Sequence, residues 1–516
     1  MDDTVPGDSP RQEIAADPPP TEQWRPRYHY TPARNFMNDP NGLVHYEGEW
    51  HAFHQYNPFG NQWGHMSWNH ALSPDLVHWD ERGVALPEAD GVMIFSGSAV
   101  VDARNTSGFG TDEGPTPLVA VYTGHRAADG MQSQCLAYSA DRGRTWTKYA
   151  GNPVIGWEKD FRDPKVFWHA PTGKWVMVVV KADQKIVRFY GSPDLKRWTP
   201  LSTFGPAGVP AARKSNWECP DLFPLPIEGE PGQNHWVLHV GMGEGHRSGG
   251  SGGEYFVGTF DGTTFRNDNP PDTVLWEDYG KDNYAAISWD GITGPDGGRY
   301  WIGWMSNWQY ANDVPTHPWR NGFTLPRLLG LRRLPGQGLR LVSRPAPQIE
   351  ARRGASRHYA GHTLAPSAPF APGREAGGDA LEIEAEFEIG DAREVGLAVR
   401  KGGGDEETLV GYDAGTGEIF VDRSRSGRSD FSPHFAGRHG GPLALRDGRL
   451  KLRVFVDRAS VEVFGNDGEA VVTELIVPRP ESRGIEAYAT GGSAWLVSLR
   501  VWTLADLPGA GTAGGS

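Results

Sequence analysis

Three short segments place a carboxylate against a proline or a Cys-Pro pair: Asn38-Asp39-Pro40-Asn41-Gly42, Phe161-Arg162-Asp163-Pro164-Lys165 and Trp217-Glu218-Cys219-Pro220-Asp221. A proline directly after an acid disfavours the helical conformation at the acid and pushes it towards an extended one, so Asp39 and Asp163 have closely set side-chain directions. Aimed carboxylates are what retaining cleavage of a glycosidic bond needs. One attacks the anomeric carbon, while a second, about 5 Å away, protonates the leaving oxygen and then activates water. A third can hold hydroxyls and offset positive charge in the transition state. Taken singly, each segment has an ordinary reading: Asn-Asp-Pro-Asn-Gly is a good turn by composition, and an Arg-Asp pair is commonly a surface ion pair. Their weight lies in occurring together.

Carboxylates so far apart in sequence must be brought together by the fold. A chain of 516 residues is too long for one ordinary core, so two domains are expected. Gly (68) and Pro (41) are abundant and spread throughout, which favours turns between short strands. From Trp24 to Val342, β-type runs such as LVAVYTG, WVMVVV and WVLHVGM alternate with Gly/Pro/Asp-rich turns. A weak repeat runs through them: SPDLVHW ends at Trp79, SADRGRTW at Trp146, SPDLKRW at Trp198, and TFDGTTF at Phe265. A strand-only repeat with a period of roughly 40 to 70 residues predicts the blades of a β-propeller. The first strand of each blade begins near the central channel, so acids at the starts of different blades converge on one funnel.

Beyond an Arg/Pro/Ala-rich connection over 343–358, the segments ALEIEAEFEI, LKLRVFVD and ASVEVFGND alternate apolar and polar residues, as half-buried antiparallel strands do. They predict a β-sandwich over 359–506, after a propeller over 23–342. Residues 1–22, acidic and proline-rich, read as a disordered leader, and 507–516 as a flexible tail.

Lys plus Arg number 50 against 64 Asp plus Glu, with no basic stripe, which argues against nucleic acid as a partner. No apolar run is long enough to span a membrane as a helix, and the first residues lack the basic and apolar regions of a signal peptide. Cys135 and Cys219 are the only cysteines, which excludes a disulfide framework. His65, His70 and His78 lack partners at ligand spacing, so no metal and no cofactor is expected. The 20 Trp offer flat faces for sugar rings, although most are expected to fill β-cores. Nothing in the pattern sets an oligomeric state.

The ordered set FMNDPNGLVHYEGEWHAFHQYNPFGNQWGHMSW, MIFSGSAVVD, KDFRDPKVFW and NWECPDLF resembles glycoside hydrolase family 32, which includes levanases, exo-inulinases, fructan exohydrolases and invertases. The resemblance runs from Arg25 to Leu504. It implies an all-β fold, a five-bladed propeller followed by a C-terminal β-sandwich, with Asp39 as nucleophile, Glu218 as acid/base and Asp163 as transition-state stabiliser. It further implies that Asn38, Gln55, Trp63, Phe95, Ser96 and Arg162 line the pocket for a terminal fructose, joined by Tyr284, Trp304 and Trp308; either of these Trp has a second reading as core.

The activity so implied is retaining hydrolysis of β-fructosidic bonds in fructans, levan or inulin, through a covalent fructosyl-enzyme. Two stretches depart from the usual family pattern, GVPAARKSNWECP and NGFTLPRLLGLR, and both are expected to reshape the acceptor side. A levan fructotransferase that releases difructose dianhydride is therefore the alternative within the same chemistry. A non-catalytic fructan-binding protein is the alternative outside it. A polymeric substrate implies a secreted enzyme, with an intracellular one acting on imported oligosaccharides as the other possibility.

Overall fold

The computed structural model describes residues 21–111, 113–210 and 215–505. Five antiparallel sheets are followed by two more. Blade I consists of Asn35–Tyr46, Glu49–Tyr56, Ser67–Ser73 and Asp80–Leu86; blade II begins with Val92–Val101, blade III with Phe161–His169, blade IV with Trp217–Pro226 and blade V with Tyr284–Ser288. These five leading strands pack side by side in order, and the fifth returns to the first, which closes the ring. The short strand Trp319–Arg320 adds in parallel to Asn35–Tyr46, pairing Asn35 with Trp319.

An apolar cluster fills the gap between each neighbouring pair of blades. Phe53, Trp68, Ala99 and Tyr122 lie between blades I and II, Phe161, Val166 and Trp175 between II and III, and Trp50, Tyr284, Trp289 and Trp304 between V and I. Burying such rings at about 25 cal/mol per Å2 holds neighbouring blades face to face. Most of the tryptophan content serves this purpose.

The sequence repeat has a physical basis. In blades I to IV its aspartate sits in the turn between the third and fourth strands and accepts two backbone N–H groups on one oxygen. Asp75 takes those of Val77 and His78, Asp141 those of Arg144 and Thr145, Asp194 those of Lys196 and Arg197, and Asp261 those of Thr263 and Thr264, all at 2.8–3.0 Å. The residue after each aspartate, Leu76, Arg142, Leu195 or Gly262, is left-handed with φ between 62° and 89°. Blade V closes instead through Pro335-Gly336-Gln337 and carries no such aspartate.

The C-terminal domain is a sandwich of a six-stranded and a five-stranded sheet around one apolar core. The three alternating segments form Leu381–Glu388, Arg449–Asp457 and Ser460–Gly465. The connection expected over 343–358 is shorter. The last propeller strand runs to Pro345 and the first sandwich strand is Arg353–Leu364, with only a 3-10 turn, Pro347–Arg352, between them. The expected leader and tail lie outside the described residues except at Thr21 and Glu22. Thr21 donates its N–H to His317 O at 2.7 Å, and Glu22 opens a 3-10 turn, so the fold begins slightly earlier than expected.

Buried ion pairs lock the two domains together. Arg327 meets Asp278 at 3.0 Å and, on the sandwich, Glu462 at 2.8 Å and Thr473 at 2.7 Å. This corrects the expectation that the NGFTLPRLLGLR stretch shapes the acceptor side: Arg327 is fully buried at the domain junction, and Arg332 pairs with Glu228 and, on the sandwich, Glu469. Asp457, in the sandwich, accepts the N–H groups of Arg27 and Tyr28 and thereby fastens the start of the chain.

Candidate active site

Asn35–Tyr46 shifts register at two places and each other leading strand at one. Besides the shift between Asn41 and Val44, the breaks fall between Met37 and Pro40, Phe95 and Gly97, Arg162 and Lys165, Glu218 and Asp221, and Tyr284 and Ile287. A bulge re-aims the side chains beside it. These five carry Asn38 and Asp39, Ser96, Asp163, Cys219 and Ala285; Asp163, Cys219 and Ala285 adopt left-handed φ of 64°, 44° and 52°. Conformations of this kind cost energy and are typical of functional sites.

The bulges surround one open pocket lined by Asn38, Asp39, Gln55, Trp63, Phe95, Ser96, Arg162, Asp163, Glu218 and Trp308, with about 470 Å3 of empty space, a size suited to a small ligand. Carboxylates from blades I, III and IV thus meet in a single depression. Asp39 Oδ2 accepts Ser96 Oγ at 2.7 Å and the Cys219 thiol at 3.4 Å, while Oδ1 accepts only Asn38 Nδ2 at 3.2 Å. Asp163 Oδ2 accepts the Cys219 N–H at 3.0 Å, and its own N–H is received by Thr123 Oγ1 at 2.9 Å. Arg162 donates to Glu218 Oε1 at 2.7 Å, and the Tyr284 hydroxyl donates to Glu218 Oε2 in a very short contact.

Burial dominates the electrostatics. It raises the proton affinity of Asp39 against the opposing pull of the Ser96 hydroxyl, with the Glu218 charge adding to the rise. Asp163 is pushed up to about 7, again chiefly by burial, with Arg162 opposing and Glu218 adding. The Ser96, Asn38 and Cys219 donors favour the ionised form of Asp39, and burial opposes them.

Eight of the nine residues expected beside the acids come to the site, though not all in the same way. Asn38, Gln55, Trp63, Phe95, Ser96, Arg162 and Trp308 line the pocket. Tyr284 is buried and reaches it only through its hydroxyl on Glu218. Trp304 does not line it. Its ring is 0% exposed, donates to Met37 O at 3.1 Å and packs under Trp308 with centroids 4.7 Å apart, so it supports Trp308 from the core. Sequence reasoning missed Thr123, which anchors Asp163, and His125, whose ring stacks on Phe95 at 4.2 Å. Cys219, beside the acid/base in sequence, reads equally as a small buried hydrophobe or as a tuning group; in the structure its N–H and thiol tie Asp163 to Asp39.

The family model for the glycosyl hydrolases family 32 N-terminal domain matches residues 29–345, and that for the family 32 C-terminal domain matches 348–503. The chain belongs to glycosyl hydrolase family 32. Among family 32 relatives, a levanase of Bacillus subtilis (strain 168) is 51% identical over 94% of this chain and 71% of its own length. An extracellular exo-inulinase of Aspergillus awamori is 40% identical, covering 94% of this chain and 95% of that protein. The crystal structure of the Aspergillus awamori exo-inulinase superposes with a TM-score of 0.87 at 39% identity, over 94% of this chain and 99% of that one. A family 32 propeller and sandwich therefore account for both halves of the molecule.

Proposed function

We propose that this protein is a retaining β-fructosidase that hydrolyses levan or inulin, with Asp39 as nucleophile, Glu218 as acid/base and Asp163 as the group that receives fructosyl hydroxyls. The observation that carries the reading is the convergence of three carboxylates from three blades in one pocket. Oδ2 of Asp39 is already engaged by two donors, which leaves Oδ1 to attack the anomeric carbon of the terminal fructose. Glu218 gives its proton to the departing oxygen, and the bond to the rest of the chain breaks as the fructosyl–Asp39 ester forms. Water then enters, loses a proton to Glu218 and releases fructose. The Cys219 N–H and Arg162 hold Asp163 and Glu218 in place through both steps, so little reorganisation is needed in the transition state.

The related proteins named as levanase and exo-inulinase support a polymeric fructan as substrate. The extracellular relative supports action outside the cell, which fractionation of host culture into supernatant and lysate tests. The decisive experiment is incubation with levan, inulin and sucrose followed by chromatography. Free fructose is the expected product; difructose dianhydride would transfer the reading to a fructotransferase, and unchanged carbohydrate would overturn it. Glu218→Gln should slow natural substrates far more than fructosides with activated leaving groups, since only the former require protonation. Equal losses on both would end the acid assignment.

A further inference from the structure

The most exposed large apolar side chain among the described residues is Phe59, at 75%, on the loop that also carries the pocket-lining Trp63, at 41%. A ring left in water forgoes the burial that phenylalanine usually gains, and a single exposed ring on a loose loop would need no explanation. The loop that carries Phe59 is not loose. Its own N–H bonds to Asn57 Oδ1 at 2.9 Å, and Asn57 Nδ2 spans the loop to Gln62 O at 2.7 Å. The segment 312–320 secures the other side: Asn312 Oδ1 accepts the Trp63 N–H at 2.8 Å, Arg320 donates to Asn61 O at 2.7 Å, and Asn61 Nδ2 reaches Thr316 O at 2.9 Å.

The ring itself is braced from one side only. His65 meets it edge-on with centroids 5.2 Å apart, and His65 is in turn held by Glu88 at 2.6 Å. The same loop carries Trp63 into the pocket wall, where its ring meets Phe95 with centroids 6.1 Å apart, and Phe59 stands four residues before it. Flat, preorganised aromatic faces bind the C–H faces of sugar rings with little loss of conformational freedom.

We propose that Phe59 is a stacking platform for a fructosyl unit of the polymer lying outside the pocket, and that it sets the preference for long fructans over sucrose. This rests on the fructosidase reading above. On this reading a unit beyond the first two sugars of a polymer meets the ring, which sucrose, with two sugars only, does not supply.

The test compares kinetics on levan, inulin and sucrose for the wild type, Phe59→Ala and Phe59→Tyr. Phe59→Ala should raise KM on the preferred polymer roughly three- to tenfold with kcat retained, and change KM for sucrose by less than about twofold. Phe59→Tyr, which keeps a flat face, should restore the polymer KM. An equal rise on polymer and sucrose, or no rise on any polymer in a variant with unchanged melting temperature, would overturn the platform. Migration in gels containing levan or inulin separates the two readings. If the wild type releases no fructose, the fructosidase reading fails, yet retardation by polymer that Phe59→Ala loses would still uphold the platform. Retardation unaffected by the substitution would sink it.

Discussion

Asp75, Asp141, Asp194 and Asp261 sit in the outer turns of blades I to IV, while Asp39 and Asp163 sit on inner strands of the same ring, and the two sets meet opposite treatment. In the turns, partial burial works against ionisation at Asp75, Asp141 and Asp194, but backbone and side-chain donors outweigh it; at Asp261 the Thr264 and Thr263 N–H groups lead, with Arg266 adding to them. All four carboxyls are held below the usual range. In the pocket, burial wins and both carboxyls are pushed up. A turn aspartate stabilises the fold in its charged form, whereas a pocket aspartate is charged only at the fold's expense. The difference separates aspartates whose charge supports the fold from aspartates whose charge opposes it, the pattern expected of a functional pocket.

Substitutions at the pocket should show the contrast most strongly. Asp39→Asn should lower kcat roughly ten-thousandfold or more while sugar binding and folding persist; near-normal turnover in a folded variant would remove it as nucleophile. Asp163→Asn should lower kcat/KM by roughly a hundred- to a thousandfold and yet stabilise the protein at alkaline pH. Because the carboxyl moves from 3.8 to about 7 on folding, the folded state binds the proton more tightly. Its contribution is complete below pH 3.8 and is lost as pH rises through 7, on the order of 4 kcal/mol at most. Thermal melts at pH 4 and pH 8 check the sign: the variant should gain over wild type only at the higher pH, and a loss there would contradict the burial argument.

The turns should respond in the opposite way. Asp194→Ala strands the N–H groups of Lys196 and Arg197 and should cost about 1–2 kcal/mol of stability with activity per folded molecule unchanged. Since the Asp194 pKa is lowered on folding, its contribution is present above the unfolded pKa and fades as pH falls through the folded one. Denaturant titrations should show a smaller cost at pH 3 than at pH 7, and a cost that fails to shrink in acid would contradict the charged-turn argument. The smallest effect belongs to the residue after such an aspartate. Arg142, exposed at φ 62°, can be replaced by glycine to relieve the left-handed strain, offset in part by a looser unfolded chain. A gain of no more than about 1 kcal/mol is expected in the same titration, and a clear loss would mean that its ion pair with Glu47 outweighs the backbone.

How much of this could be read beforehand follows from the range of the interactions. The repeat and the alternating strands are local, so the blades and the sandwich were legible. The acids were legible because proline beside Asp39 and Asp163, and the Cys-Pro pair after Glu218, mark them in sequence. Trp304 and Trp308 share one motif and similar chemistry; which is core and which is wall depends on Phe36, Met37 and Tyr284 from other strands. Arg327 lies in a motif that differs from its family pattern, and only the arrival of Glu462 from the other domain gives it a structural role. Thr123 carries no mark at all, since its part is played by one hydroxyl against a backbone N–H forty residues away.

The strand Trp319–Arg320 that completes blade I is made near the end of the propeller, whereas Asp39 is made near its beginning. During synthesis the segment around Asp39 therefore leaves the ribosome long before the backbone that flanks it, and its surroundings are finished only when the final blade arrives. A nascent chain with four blades has the carboxylates in hand but no closed ring to aim them, so competence at the pocket comes as a single late event in the life of each molecule.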